Sequence, residues 1–137
     1  MNRETIRQAV VAAVEARKAT WSAYPLLVEY DNRVLVDTQT QTNPFLCVRI
    51  MFMDGEQVDL GSNPNHRVFG QIHMAAALRS GEGTARANEL LDYFVPALHM
   101  KTLSGVRLWG SRPAKDLLHL GWVYSPCLIP FEADTLP

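Results

Sequence analysis

The sequence predicts an α+β domain: an antiparallel or mixed β-sheet with two amphipathic helices packed on it. Three observations carry this reading. The elements run helix, strands, helix, strands, without the regular βαβ alternation of a parallel sheet. Two segments place apolar residues at helical spacing. The segments between them are short, rich in β-branched and aromatic residues, and bounded by turn residues. At 137 residues, the chain suits one domain spanning 1–137.

The first helix starts at Asn2, a good N-cap, with Glu4 in the first turn where the helix dipole favours negative charge. Ile6, Val10, Ala13, Val14 and Trp21 form its apolar stripe, and it should stop near Thr20 to Ser22, before Pro25. Leu26 to Tyr30 reads as a strand, Asp31-Asn32 as a turn and Val34 to Val36 as a possible partner strand. Asp37 to Pro44, rich in Thr and Gln, reads as a loop or a mobile arm. Phe45 to Met53, apolar except for Arg49, reads as a buried strand. Asp54-Gly55 is a hairpin signal with Gln57 to Leu60 returning, followed by a loop over Gly61 to Asn65.

Val68 to Leu78 reads as a strand, because Val68, Phe69 and Ile72 are strand formers and Gly70 argues against a helix start. A helix from about Ile72 is the alternative. After the Ser80–Gly83 loop, Thr84 is placed to cap a second helix whose stripe is Ala87, Leu90, Leu91, Phe94, Val95 and Leu98. Pro96 should bend that helix or end its regular part. Val106 to Trp109 is a short strand, Gly110 to Lys115 a loop, and Gly121 to Phe131 a long final strand. Pro126 and Pro130 cannot donate to a ladder, which predicts an edge position or a bend. The expected core joins Ile6, Val10, Val14, Leu90, Leu91, Phe94 and Leu98 to Val48, Ile50, Ile72 and Val123.

Composition narrows the function classes. The chain is 47% hydrophobic and 20% charged, which excludes disorder as the default. Its formal net charge of -1 gives no global attraction to nucleic acid or an anionic membrane. The N-terminus lacks a signal-peptide pattern and no run is long enough for a membrane span, so an intracellular protein is expected. Cys47 and Cys127, far apart and outside any C-x-x-C pair, are expected to be free buried thiols.

The chemistry-bearing residues form no sharp motif. His66, His73, His99 and His119 show no ligand spacing with one another or with Cys or Glu. Cys47 lies in an apolar strand, where a thiol is inert. Gly81-Glu82-Gly83-Thr84 precedes a helix but lacks the Walker lysine, and Glu82 would repel an anion. Glu29, Asp31, Asp54, Glu56 and Asp59 are scattered carboxylates. No catalytic residue, cofactor site or metal site is expected. One local bias stands out: Lys101, Arg107, Arg112 and Lys115 against Asp116 alone between Met100 and Leu118.

The layout of these features resembles the tail terminator proteins of long-tailed bacteriophages, including a prophage-encoded minor tail protein family. The resemblance spans the chain. It runs from the helix ending at Trp21 through Pro44-Phe45-Leu46-Cys47-Val48-Arg49, Gln71-Ile72 and the Gly81–Thr84 loop leading into Ala87–Phe94. It closes on Gly121-Trp122-Val123 and Ile129-Pro130-Phe131. Gly70 stands where an aromatic is common in that family. The resemblance implies a virion assembly protein, not an enzyme, that forms a hexameric ring on the tail tube, stops its polymerisation and presents a head-joining surface. The implied partners are its own copies, the tail tube protein and a head-completion protein, with no membrane, no specific nucleic acid and no cofactor. The implied location is the bacterial cytoplasm during assembly and then the virion tail. Contacts are expected from the polar segments Asp37–Asn43, Gly61–Arg67 and Ser111–Lys115, with Arg112, Lys115, Gln39, Gln41, Asn63, Asn65 and Arg67 as candidate interface residues. The alternative is an α+β domain that binds or transforms a small ligand in a cleft between sheet and helix. Oligomeric state separates the two.

Overall fold

Asn2 closes the first turn of helix α1 (Arg3–Lys18): its side-chain oxygen accepts the Thr5 N–H at 2.8 Å. In the computed structural model, which describes residues 2–31, 37–53, 56–57 and 66–135, α1 buries Ile6, Val10 and Val14 completely. The regular helix ends at Lys18, a little before the predicted stop. Thr20 N–H and Trp21 N–H then donate to the Arg17 and Lys18 carbonyls, tightening the last turn. Helix α2 (Ala85–Phe94) gives way at Pro96 to a 3-10 turn, Val95–Ala97. Proline lacks the N–H that the α-helix needs there. Thr84 is the N-cap residue but makes no capping hydrogen bond, contrary to the sequence expectation. Its φ of -108° and ψ of -6° are not the extended backbone that turns a cap side chain onto the first turn.

The strands are β1 (Val28–Glu29), β2 (Phe45–Phe52), β3 (Glu56–Gln57), β4 (His66–Arg79), β5 (Thr102–Leu103), β6 (Val106–Leu108), β7 (Arg112–Pro113), β8 (Leu117–His119) and β9 (Trp122–Thr135). They form one mixed sheet in the order β1-β2-β4-β9-β6-β5. β3 also pairs with β4, and β7 and β8 pair with β9. The fold class is therefore the α+β class that the sequence predicts. β4 and β9, each 14 residues long, pair antiparallel along their whole length. Val68–Leu78 is thus wholly strand.

β1 runs parallel to β2, with Val28 opposite Leu46. The turn predicted at Asp31-Asn32 and its expected partner strand, Val34–Val36, run outside the described residues. One predicted hairpin is corrected: Glu56 and Gln57 pair with Arg67 and His66 of β4, not with β2. β3 therefore prolongs β2 along β4, and the chain reverses after it. The Asp54-Gly55 turn itself lies outside the described residues.

The proline prediction also changes. β9 is not an edge strand, since β4 flanks one side and β6, β7 and β8 the other. The Pro126 carbonyl accepts from Ala114 N and the Pro130 carbonyl from Trp109 N, both on the outer side. In an extended strand a residue's N and C=O point the same way. Each proline's missing donor therefore faces outward, where it costs the β4 ladder nothing. Pro130 falls between the partners of β6 and β7, and Pro126 between those of β7 and β8. The outer partner of β9 is cut into three short strands at these positions.

Both helices cover one face of the sheet. Leu90, Phe94 and Leu98 join the α1 stripe against Val48, Ile72, Met74 and Ile129. Leu91 and Ile50, expected in the core, are only half-buried at its margin, and Val123, also expected there, is half-buried. The opposite face carries a smaller core of Phe45, Ala77 and Trp122, with the Phe45 and Trp122 rings 5.0 Å apart.

Gly70 lets β2 and the Phe131 ring lie close against the β4 backbone. A Cβ there would strike the Met51 carbonyl oxygen and the ring of Phe131, which lies edge-on to Phe52 at 5.8 Å. Because the obstacle is partly backbone, Gly70→Ala should destabilise the protein by about 1–3 kcal/mol in urea denaturation. A loss below about 0.5 kcal/mol would mean that strand and ring shift freely.

Candidate interaction surface

β8 returns into β9 through Leu120-Gly121, with His119 paired to Trp122. Both turn residues have positive φ, 49° at Leu120 and 80° at Gly121. That is the pattern of a two-residue I′ hairpin, which favours Asn-Gly. Glycine takes this conformation freely, whereas a leucine there is strained by about 1–2 kcal/mol. Leu120 is also 80% exposed, beside Leu118 at 71% and Leu117 at 62%. Three exposed leucines on one hairpin, one of them strained, serve neither burial nor turn stability. Sequence reasoning missed this tip. The available signal was Leu-Gly, set before a strand where a turn asparagine is ordinary.

Arg112 lies in β7 opposite Leu128, and Lys115 lies in the link between β7 and β8. Both are exposed, so the basic stretch leads directly into the leucine hairpin. Gln39 and Gln41 approach the same end of the sheet, but not as a mobile arm. Arg79 donates to the Gln39 carbonyl at 3.3 Å and to the Gln41 carbonyl at 2.8 Å. The Trp122 indole donates to the Thr38 carbonyl at 3.0 Å, and the Arg79 guanidinium stacks on that indole. The segment 37–43 is therefore strapped over the smaller core. Its lack of apolar side chains is offset by donors from the sheet to its backbone.

Arg67 sits near the far end of β4. It bridges to Asp134 at 3.1 Å and Glu132 at 3.8 Å, while Arg107 contacts Glu132 at 2.9 Å and Asp134 at 3.5 Å. Arg67 is thus committed to an internal charge network, away from the hairpin. Asn63 and Asn65 lie outside the described residues.

The nucleophilic side chains are quiescent. Cys47 and Cys127 are unpaired. Burial, with Glu29 nearby, pushes the Cys47 thiol up to about 12. Burial also raises Cys127. A thiol held protonated is a poor nucleophile. His99 Nδ1 accepts the Ser111 N–H at 2.9 Å, which ties the approach to β7 to the turn after α2. Among the described residues no group of three or more His, Cys, Asp or Glu is placed to hold a metal ion. No described helix is long and apolar enough to cross a membrane.

No protein-family model matches the chain, and no curated protein matches it. Its fold does match solved structures. One solved chain of 14% sequence identity aligns with a TM-score of 0.70, covering 100% of this chain and 99% of its own. At that identity the match shows a shared fold alone.

Two outcomes are expected. Leu120→Asn should raise stability by about 0.5–1 kcal/mol, because asparagine tolerates positive φ better. A urea midpoint that falls would refute the strained turn. The second concerns acid. The Arg67 hydrogen bond holds the Asp134 carboxyl below its usual range. A carboxyl lowered in the folded state stabilises the fold above its unfolded pKa of about 3.9, and that contribution is lost as pH falls through the folded value. Urea midpoints should therefore drop below about pH 4, less steeply in Arg67→Gln. Identical acid profiles for the two proteins would count against the network.

Proposed function

We propose that the protein is a ring-forming cap of the tail-terminator kind, which ends a phage tail tube and offers its outer face to head-completion proteins. The single observation that carries this reading is the exposed hairpin, Leu117, Leu118 and strained Leu120, continuous with Arg112 and Lys115. Exposed apolar residues on both sides and at the tip of one hairpin suit a protein–protein contact in which the hairpin inserts into a neighbour. The layout resemblance across the chain, from the Trp21 helix to the Ile129-Pro130-Phe131 strand, supports the class of assembly. The site of action is then the bacterial cytoplasm during assembly and later the virion tail.

The capping mechanism follows from symmetry. A heterologous contact, one patch on a different patch, builds an open filament unless its rotation closes. If it closes, the result is a ring with two unlike faces. One face can copy the contact that a tube subunit makes; the other does not, and growth stops. Leucines supply the desolvated centre of such a joint, and Arg112 and Lys115 supply a charged rim that selects an acidic neighbour.

The test uses two variants in a phage background: Arg112→Glu with Lys115→Glu, and Leu118→Ser with Leu120→Asn. Both are expected to fold as the parent and to leave overlong, headless tails. In light scattering with tail tube protein, the parent should form a finite complex that the variants do not. Normal tail length and normal head joining in folded variants would overturn the proposal.

A further inference from the structure

Leu91 and Val95 belong to the apolar stripe of α2, yet both are only half-buried. Beside them the outer partner of β9 is β7, a strand of two residues. The sheet is narrow there and leaves a groove of about 550 Å³. Leu91, Val95 and Pro96 line it from the helix side, and Pro113, Pro126 and Cys127 from the sheet side. Its volume is in the range that takes a drug-sized group, and so has room for the side chains of a hairpin tip. His99 and Ser111, which also line it, are bonded to each other.

The chain cannot fill this groove with its own hairpin. The hairpin turns at Leu120-Gly121, beside Trp122. The groove floor lies at Cys127, so the two are about 17 Å apart along β9, at ~3.4 Å per residue. The leucine tip and the groove are therefore separate patches on one molecule.

Their charges are opposite. Arg112 and Lys115, both exposed, flank the hairpin. On α2, Glu89 and Asp92 are exposed neighbours on one side of the helix. Neither is in an ion pair among the described residues. Arg86, the cation of that helix, is engaged with Glu82 at 3.8 Å and lies over the Tyr24 ring. Lys101 lines the groove as well, but against two carboxylates it leaves the balance negative. An apolar hairpin with basic flanks thus has its counterpart on the same chain: an apolar groove with an acidic flank.

We propose that the hairpin of one copy inserts Leu118 and Leu120 into the α2 groove of the next copy, with Arg112 and Lys115 against Glu89 and Asp92 of that copy. The inference rests on the ring reading and names the surface that receives the hairpin. Because the two patches differ, the contact is heterologous, the kind that a closed ring requires. Each copy gives one hairpin and receives one.

The test is a charge exchange between copies of the full chain. One variant carries Arg112→Glu with Lys115→Glu, the other Glu89→Lys with Asp92→Lys. Assembly is followed by light scattering with tail tube protein, and urea midpoints check that both variants fold as the parent does. Each variant alone should raise the concentration for half-assembly about tenfold or more, since like charges then face each other across every joint. An equal mixture of the two should recover the parent's value. In the mixture every acidic hairpin can meet a basic groove and every basic hairpin an acidic one. If the lysine pair disturbs α2, Lys115→Glu mixed with Asp92→Lys makes the same comparison with one charge on each side. No finite complex from the parent would overturn the ring reading and this inference with it. A finite parent complex that either variant leaves intact would overturn the inference alone. So would loss in both variants without recovery on mixing, which would assign the hairpin to the tube protein instead.

Discussion

Everything else in the molecule is hung on the 14-residue antiparallel ladder between β4 and β9. Because side chains alternate across a strand, the register of this one ladder assigns two sets of residues at once. Ile72, Met74, Ile129 and Phe131 go to the helix side and build the main core. Ala77 and Trp122 go to the other side and build the smaller one, and Ala75 and Pro126 line a trough next to it. A slip by one residue would exchange these sets and bury Glu132 in place of Phe131. The ladder is therefore strongly specified by both faces together.

That double use explains what was legible in the sequence. The helical stripes were readable because one face of each helix is buried and the other wet, so Ile6, Val10, Val14, Leu90 and Phe94 could be named. β2 and β4 were readable as elements for the same reason. Their partners were not. A turn signal such as Asp54-Gly55 reports local backbone preference, but pairing is decided by which strand offers the longer complementary face. β4 won Glu56 and Gln57 because it runs on past the end of β2.

The candidate surface was half legible. Arg112 and Lys115 announced themselves by charge, which needs no partner to be recognised. The leucines beside them were passed over, since an apolar residue carries no sign of exposure until its backbone is known. Only the positive φ of Leu120 and its exposure separate it from a core leucine. The 37–43 segment misled in the opposite sense. Polar side chains suggested freedom, yet its carbonyls, invisible to any side-chain pattern, are held by Arg79 and Trp122. Asn63 and Asn65 lie outside the described residues, and Arg67 was drawn away by its carboxylate partners.

The two prolines of β9 have a consequence for how this architecture can vary. Because Pro126 and Pro130 turn their donor-less nitrogens to the outer side, the backbone bonds from the links at 109–111 and 114–116 to β9 come from Trp109 and Ala114. Residues inserted or lost there change neither the alternation of β9 nor its register with β4. The rim is thus uncoupled from the frame. The rim can therefore change in length, charge and apolar tip to suit a different neighbour while the frame persists.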